Sequence, residues 1–594
     1  MGFLAERLRS QTSDLADLLT RRIRELTNRE NLLSCIKRCG GFDPESSLLE
    51  PGEYAAVGID GSMDYDELLE MLLFYVCATG FRCNFTLDED VRFHLDRVER
   101  DRRLAASASV PLWTEDLFQV TDETESMEQD VGRSAERIPF ALMTMAELYL
   151  AVKAVDDGMV RLIFLDRPLS GTFGPLSRDF RFFLRRGRSP LLGIKTSHGP
   201  VTLLDFKLVS VLGSGNNWIS RRPQYLPYLA IQTLLKVKSL SHEELYEKLG
   251  ISEKRGRKLL KKLMQMHKDS DDGLFVDDPL KEDAPLALQD NVRYYWLRVK
   301  EVAFSIVERV FSSSEHPLMI DKGESWLTVI DLNTINTILI HILREKALER
   351  GVLVVGIAKD TSASEFLRAV IPYAKVEGLI PADEKLPNLK HDRAFLTILS
   401  GTNPGLFKAP WRTIGYDSCF TTLIQGDGKV PLRAARRAVS LERQFVRGYF
   451  QLREFKSDKA VRSPTFLYDR FYNPKTDEKF IAEITVLERG RKAKIYPYWE
   501  GAEENPLDSF ILCLLSKCDN PEIIEAIGHN QLLYLADKAV KNEIRMMKGL
   551  LRGVADLELG SLSRRQKIFT IARRFRDIRK ETEGARERAA LEEI

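Results

Sequence analysis

Short apolar runs and long amphipathic stretches alternate along the chain, a pattern typical of a mixed α/β fold. Helices are predicted where apolar residues recur every three or four positions: residues 139–155, 291–311 and 333–350. Strands are predicted where a short apolar run ends at turn-forming or charged residues: residues 54–59, 71–78, 160–165, 352–357, 445–452 and 480–487. The chain is therefore expected to build a sheet that helices cover.

Two of the predicted strands end in an aspartate. Asp60 follows residues 54–59 and opens an Asp-Gly-Ser sequence that predicts a turn, and Asp166 follows residues 160–165. Glu147 is an isolated acid on the apolar helix that precedes Asp166. Asp-Gly is also a common turn pair, so Asp60 alone is equally compatible with an ordinary turn. If the fold brings these three carboxylates together, they would hold one or two divalent cations.

Composition restricts the classes of partner. The 594 residues contain 88 Lys and Arg against 87 Asp and Glu, so nucleic-acid binding must depend on local patches rather than on net charge. Seven scattered cysteines are typical of a reducing compartment. The charged N-terminus does not resemble a signal peptide, and no apolar run is long enough to predict a membrane span. We expect a cytoplasmic protein without membrane contact.

One basic patch follows Asp166. Arginines alternate there with aromatic residues, which favours a channel for a single nucleic-acid strand, since cations meet phosphates and rings stack on bases. A half-buried sheet with its arginines in solvent explains the same pattern. The residues are Arg178, Arg181, Arg185 and Arg186, with Phe173, Phe180, Phe182, Phe183 and Trp218.

A second basic patch lies in a module with its own pattern. Ser241 and Glu244 form a predicted capping box, Gly250 breaks the helix, and Ser252 is predicted to cap a basic helix over residues 253–266. With a short apolar segment at 273–276 as its wing, the module resembles a winged helix-turn-helix. Its exposed cations would meet DNA phosphates or a protein partner: Arg257, Lys258 and Lys261.

The strand-end acids resemble, in their order, those of the NurA nuclease family. The pieces that carry the resemblance are Asp60-Gly61-Ser62, the helical Glu147, the strand-end Asp166, and the sequence Gly-Ile-Ala-Lys-Asp-Thr-Ser at 356–362. The resemblance implies an α/β fold with a ribonuclease H-like mixed sheet. It also implies that Asp60, Glu147 and Asp166 hold Mn²⁺ or Mg²⁺ and that Lys359 assists at the phosphate. Asp360 would orient Lys359 or lie in an outer metal shell, and an ordinary strand-end salt bridge explains these two residues equally well.

The family's partners and the domain boundaries follow from this resemblance. It implies a DNA nuclease that forms homodimers and works with a HerA-type hexameric translocase ATPase in DNA end resection, repair or anti-phage defence. This chain has no Walker-type motif, so the motor would be another polypeptide. We expect a helical arm (1–45), a core in two parts (46–225 and 291–540), the winged-helix insertion (226–290) and a helical tail (541–594).

Two departures from the family pattern affect the site. Arg167 follows Asp166 where the family has glycine, and the family's closing motif is matched only loosely by residues 520–529, which end in His529. His529 is the expected fourth metal ligand, and Asp537 is the next candidate if this alignment has slipped. These departures keep open a second hypothesis, a catalytically weakened DNA-binding adaptor or scaffold for a HerA-type ATPase.

Overall fold

The computed structural model describes most of the chain between residues 12 and 563. The undescribed positions in that range are 14, 19, 22, 25, 28, 40–48, 69–70, 114–115, 117–119, 121–130, 271–272, 282–283, 321–324, 387–388, 425–431, 434–441, 454–462, 489, 521 and 523–527. Part of the predicted N-terminal arm and the end of the predicted tail therefore lie outside the described residues.

Strands are numbered in chain order. They are β1 Ile36–Arg38, β2 Gly52–Leu68, β3 Met71–Leu87, β4 Val91–Phe93, β5 Glu99–Trp113, β6 Val160–Leu165, β7 Lys195–Thr196, β8 Gly199–Pro200, β9 Met319–Ile320, β10 Ser325–Trp326, β11 Leu353–Ala358, β12 Trp411–Thr413, β13 Tyr416–Asp417, β14 Leu432–Arg433, β15 Phe445–Gln451, β16 Phe466–Phe471, β17 Ile484–Glu488 and β18 Arg491–Ile495.

Helices are numbered in the same way. They are α1 Val131–Val155, α2 Leu169–Arg186, α3 Leu203–Leu212, α4 Leu226–Lys236, α5 His242–Leu249, α6 Glu253–Lys268, α7 Tyr295–Ser312, α8 Val329–Arg350, α9 Ile371–Val376, α10 Asp392–Thr402, α11 Phe420–Leu423, α12 Pro474–Asp477, α13 Pro506–Lys517 and α14 Gln531–Ser563. The predicted mixed α/β architecture is confirmed.

One large mixed sheet organises the fold. Among the described residues it has eleven strands in the order β1-β12-β15-β16-β11-β6-β2-β3-β4, with β13 beside β15 and β5 beside β3. At its centre, β2, β6 and β11 are parallel, with Leu165 of β6 opposite both Ile59 of β2 and Gly356 of β11. The other pairs in this sheet are antiparallel. β6 and β11 therefore end at one edge, at the level of Asp60 in the longer β2.

Both faces of the central strands are buried, which explains their nearly continuous apolar sequences. Odd-numbered residues of β2, such as Val57 and Ile59, pack in a core with helix α1. Even-numbered residues, such as Ala56, pack in a second core with α13 and the start of α14. The α1 segment Glu136–Val155 is long and apolar enough to cross a membrane, but 78% of its most apolar window is buried inside the protein. It is a core helix.

The turn predicted at Asp60-Gly61-Ser62 is wrong. Strand β2 continues to Leu68 and pairs with β3 without interruption, from Gly52 opposite Leu87 to Leu68 opposite Met71. Gly61 is needed for a different reason: a Cβ atom there would lie 2.6 Å from Glu147 Oε1 and 2.9 Å from Met143 Cγ. The glycine lets helix α1 approach the strand closely.

The segment predicted as an inserted module folds as three helices, α4 to α6. Ser241 and Glu244 form the predicted capping box, and Gly250 ends α5 with a φ of +59°. Ser252 precedes α6 as predicted, but its side chain makes no capping hydrogen bond. Isolated antiparallel bridges then join Leu240 to Leu286 and Phe275 to Leu288.

The predicted helical arm (1–45) is not helical throughout its described residues. Residues 30–35 form a 3₁₀ helix, and β1 then adds an edge strand to the sheet by pairing with β12. The buried Leu26 and Leu32 explain the change, because they pack in the core that also contains Trp411 and Phe407. Tertiary packing therefore overrides the amphipathic pattern here.

Gly61→Ala is expected to lower the free energy of unfolding by about 1–3 kcal/mol, because the new methyl group overlaps Glu147 and Met143. Urea denaturation measures the change. Gly158→Ala is the matched control, since a Cβ atom there meets nothing within 4 Å. Equal stability of the two variants would contradict the close approach of α1.

Candidate metal centre

Three carboxylates converge at the edge where the parallel strands end. Oxygens of Asp60, Asp166 and Asp537 lie within 4.8 Å of one another. Asp60 lies in β2, Asp166 follows β6, and Asp537 lies on α14, whose first turn packs on the same face of the sheet. Gly58 permits this packing, because a Cβ atom there would be 2.5 Å from Leu532 Cβ.

A lysine completes the group. Lys359 follows β11 and its Nζ donates a hydrogen bond of 2.6 Å to Asp166 Oδ2. Its side chain retains 30% of its accessible surface, so the amine remains within reach of solvent. Asp360 points elsewhere: it is 91% exposed and pairs with Arg393. Of the two neighbours, only Lys359 contacts a carboxylate of the centre.

Burial favours the protonated forms of Asp60 and Asp166 by raising the pKa of each carboxyl. Burial, followed by the charges of Asp166 and Glu147, raises the pKa of Asp60 to about 9. Burial also raises the pKa of Asp166, although Lys359 opposes the shift. Like-charged carboxylates at this separation cannot all ionise without a counter-charge. An all-oxygen set of this kind fits a hard divalent cation, which would take the place of the bound protons.

Glu147 lies on the opposite face of the sheet. Its two oxygens accept hydrogen bonds from Nε and Nη2 of Arg167, the second at 2.8 Å, while Arg167 Nη1 donates to Thr144 Oγ1 at 2.8 Å. Both side chains of the ion pair are buried. Glu147 is the residue that Gly61 accommodates, so it packs against β2 from the α1 side.

Strand alternation explains this separation of the acids. Successive side chains of a strand point to opposite faces. Leu162 and Phe164 of β6 share the α13–α14 core, and Ile163 and Leu165 share the α1 core. Continued past the strand end, the same alternation sends Asp166 to the α14 face and Arg167 to the α1 face. Asp537 therefore stands with Asp60 and Asp166, where the sequence predicted Glu147.

His529 lies two residues before α14 and is not among the three converging ligands. Its Nδ1 accepts a hydrogen bond of 2.7 Å from the backbone N–H of Asn530, so its proton is on Nε2. Nε2 is buried and has no hydrogen-bond partner among the described residues. Burial and the charge of Lys359 lower the pKa of His529 to about 3. The role of His529 as a fourth ligand stays a prediction.

The arginine-rich segment forms helix α2, not a sheet. Its cations Arg178, Arg181, Arg185 and Arg186 are exposed. The rings of Phe173, Phe180 and Phe183 are buried in the α1 core, so the prediction that they stack on bases is wrong; Phe182 is 49% exposed. Trp218 packs against Arg443, whose guanidinium carbon is 4.5 Å from the ring centroid.

The basic face of α6 is open to solvent. Arg257, Lys258 and Lys261 are exposed, whereas Gly256, Leu259, Leu260 and Leu263 form its buried side. Arg257 pairs with Glu253 one turn earlier, at 2.6 Å. The α6 face is thus a solvated basic surface of the predicted module.

Asp537 is the member of this group that sequence reasoning gave only as an alternative. Its sequence surroundings are those of a surface residue, with Lys541 one turn away and paired to it at 2.7 Å. One signal was available: Asp537 directly follows Ala536 and precedes Val540, both of which belong to the buried stripe of α14. An acid at the margin of a buried stripe lies where a helix meets its sheet.

Affinity for Mn²⁺ is expected to rise with pH, because the metal must displace the proton that Asp60 holds up to about pH 9. Each displaced proton contributes about tenfold per pH unit. Calorimetric titration between about pH 6 and pH 8 measures this. Without metal, the raised pKa of Asp60 affects the stability of the fold in the opposite direction. The folded protein binds more protons than the unfolded chain, so its free energy of unfolding falls as the pH rises toward that pKa. A pH-independent affinity would contradict the proton-bearing site.

Arg167→Met is expected to destabilise the fold by about 3–5 kcal/mol, because it leaves the Glu147 carboxylate buried without its partner. The double variant Glu147→Gln with Arg167→Met should recover much of the loss. Denaturant unfolding measures both. Arg257→Met, in an ion pair whose side chains are each 69% exposed, is the control and should leave stability unchanged.

Comparison with known proteins gives only distant matches. No protein-family model and no curated protein matches the chain. Among solved structures, the NurA nuclease from Sulfolobus solfataricus is 10% identical, with a TM-score of 0.36 and coverage of 94% of this chain and 98% of that one. NurA with manganese is 13% identical, with a TM-score of 0.36 and coverage of 92% and 98%. NurA bound to dAMP and manganese is 13% identical, with a TM-score of 0.35 and coverage of 90% and 92%. All three carry the name of the family that the sequence motifs resemble.

Proposed function

We propose that this protein is a metal-dependent nuclease that hydrolyses DNA phosphodiester bonds. The observation that carries the proposal is the convergence of Asp60, Asp166 and Asp537, whose oxygens lie within 4.8 Å of one another. Lys359 contacts this group and remains partly exposed. Carboxylates around a divalent cation with a neighbouring amine suit the hydrolysis of a negatively charged diester.

Each residue has a proposed role. Asp60, Asp166 and Asp537 hold Mn²⁺ or Mg²⁺, which when bound activates water and offsets charge on the phosphate. Lys359 orients Asp166 and binds a non-bridging oxygen of the scissile phosphate, because its exposed amine has donors to spare beyond Asp166. Glu147 supports the site from the opposite face through its ion pair with Arg167.

The remaining expectations are part of the same proposal. DNA would run along the exposed arginines of α2 and the basic face of α6, with the α4–α6 module acting as a winged helix. The core would be ribonuclease H-like. The protein would work in the cytoplasm as a homodimer with a HerA-type translocase, in end resection, repair or defence.

A second candidate is a DNA-binding adaptor without activity. One observation favours it: Arg167 occupies both oxygens of Glu147, which removes one acid from the predicted metal set. The adaptor would use the same DNA-binding surfaces and recruit the same ATPase. Comparing cleavage with binding separates the two candidates.

Asp60→Asn and Asp537→Asn are expected to abolish cleavage of labelled single- and double-stranded DNA in Mn²⁺, on the order of a thousandfold or more, because the metal loses an anchoring carboxylate. Asp360→Asn is the matched control, an acid that also follows a central strand but pairs outward with Arg393. It should retain wild-type activity. The assay is run with Mn²⁺, Mg²⁺ or EDTA, with and without a HerA-type ATPase.

The pattern of activities decides the outcome. Loss in Asp537→Asn but not in Asp360→Asn supports the proposed centre and its ligand from α14. If wild-type protein binds DNA but does not cut it under any of these conditions, the nuclease proposal is wrong and the adaptor stands. If Asp537→Asn keeps its metal affinity while Glu147→Gln loses it as fully as Asp60→Asn, the assignment of Asp537 in place of Glu147 is wrong.

A further inference from the structure

A buried aspartate on β16 holds the chain that leaves the metal centre. Asp469 accepts hydrogen bonds from the backbone N–H of Leu169 at 2.7 Å and of Ser170 at 2.8 Å, and from Ser170 Oγ at 2.5 Å. These are the first residues of α2, which starts two residues after Arg167. Asp469 therefore caps α2 from a strand far away in sequence.

The strand between them is built for this contact. Asp469 pairs with Gly356 of β11. A Cβ atom on Gly356 would lie 2.5 Å from the carbonyl oxygen of Arg167, 2.6 Å from Asp469 Oδ1 and 2.9 Å from Leu169 N. Only a glycine allows the loop after Asp166 to cross β11 closely enough to reach the carboxylate.

A buried arginine extends the contact to a second loop. Arg447 Nη2 donates to Ser170 Oγ at 2.5 Å, and its Nη1 lies 3.1 Å from Glu365 Oε1. Glu365 belongs to the segment that follows Lys359. The two loops that carry Asp166 and Lys359 are thus tied to one buried network on β15 and β16.

We infer that Asp469 and Arg447 are positioning residues for the proposed metal centre. They fix the two strand-end loops so that Asp166 and Lys359 meet Asp60 and Asp537 in one arrangement. The inference rests on the proposed metal site. Groups that hold metal ligands in place without contacting the metal typically contribute about 10–100-fold to metal affinity.

The test compares two buried capping aspartates. Asp331 also caps a helix, α8, accepting hydrogen bonds from the N–H of Thr328 at 2.8 Å and from Ser189 Oγ at 2.6 Å, and that helix carries no residue of the centre. Asp469→Asn and Asp331→Asn should both lower the melting temperature. Only Asp469→Asn should weaken Mn²⁺ binding to the full-length protein, by about 10–100-fold in calorimetric titration.

Ser170→Ala is the milder variant if Asp469→Asn does not fold. It removes the hydroxyl that Asp469 and Arg447 share and should weaken Mn²⁺ binding in the same direction. Equal Mn²⁺ affinity in the Asp469 and Asp331 variants, or unchanged affinity in Ser170→Ala, would overturn the positioning role alone. Absence of Mn²⁺ binding by wild-type protein would overturn the metal site and the positioning role together.

Discussion

The parallel pairing of β2, β6 and β11 is the constraint on which the site depends. Parallel neighbours bring their carboxyl ends to one edge, and alternation then assigns each following residue to a face. Asp60, Asp166 and Lys359 therefore reach one face of the sheet from three separate parts of the sequence. A register slip of one residue in β6 would exchange Asp166 with Arg167 and replace a ligand with a cation.

Burying several acids together costs free energy, and the fold offsets it differently on the two faces. On the α1 face, Glu147 is neutralised by Arg167, which fills both carboxylate oxygens. On the α14 face, Lys359 neutralises only part of the charge, and the pKa of Asp60 stays raised to about 9. The first arrangement is a closed ion pair. The acids on the α14 face lack a full set of positively charged partners, as a cation-binding site requires.

The centre is assembled from distant segments, so its geometry depends on the whole core. Its four contributing side chains are spread from residue 60 to residue 537: one lies within β2, two follow β6 and β11, and one lies on α14. Glycines at 58, 61 and 356 remove the side chains that would hold α14, α1 and the loop after Asp166 away from the sheet. The helices and the loop therefore pack in direct contact with the sheet at these three positions.

The sequence by itself determined the local structure: the central strands, the long helices, the capping box at Ser241, and the acid that follows β6. It also singled out Lys359, which contacts Asp166. Only the tertiary structure decided that β2 runs through Gly61, that Phe173, Phe180 and Phe183 are core residues, and that Asp537 lies beside Asp60 and Asp166 while Glu147 pairs with Arg167 on the other face. The physical reason is that the spacing of apolar residues along a short segment decides which side chains share one face of a helix or strand. Which helix covers which face of a sheet depends on packing between segments hundreds of residues apart, and no local pattern encodes it.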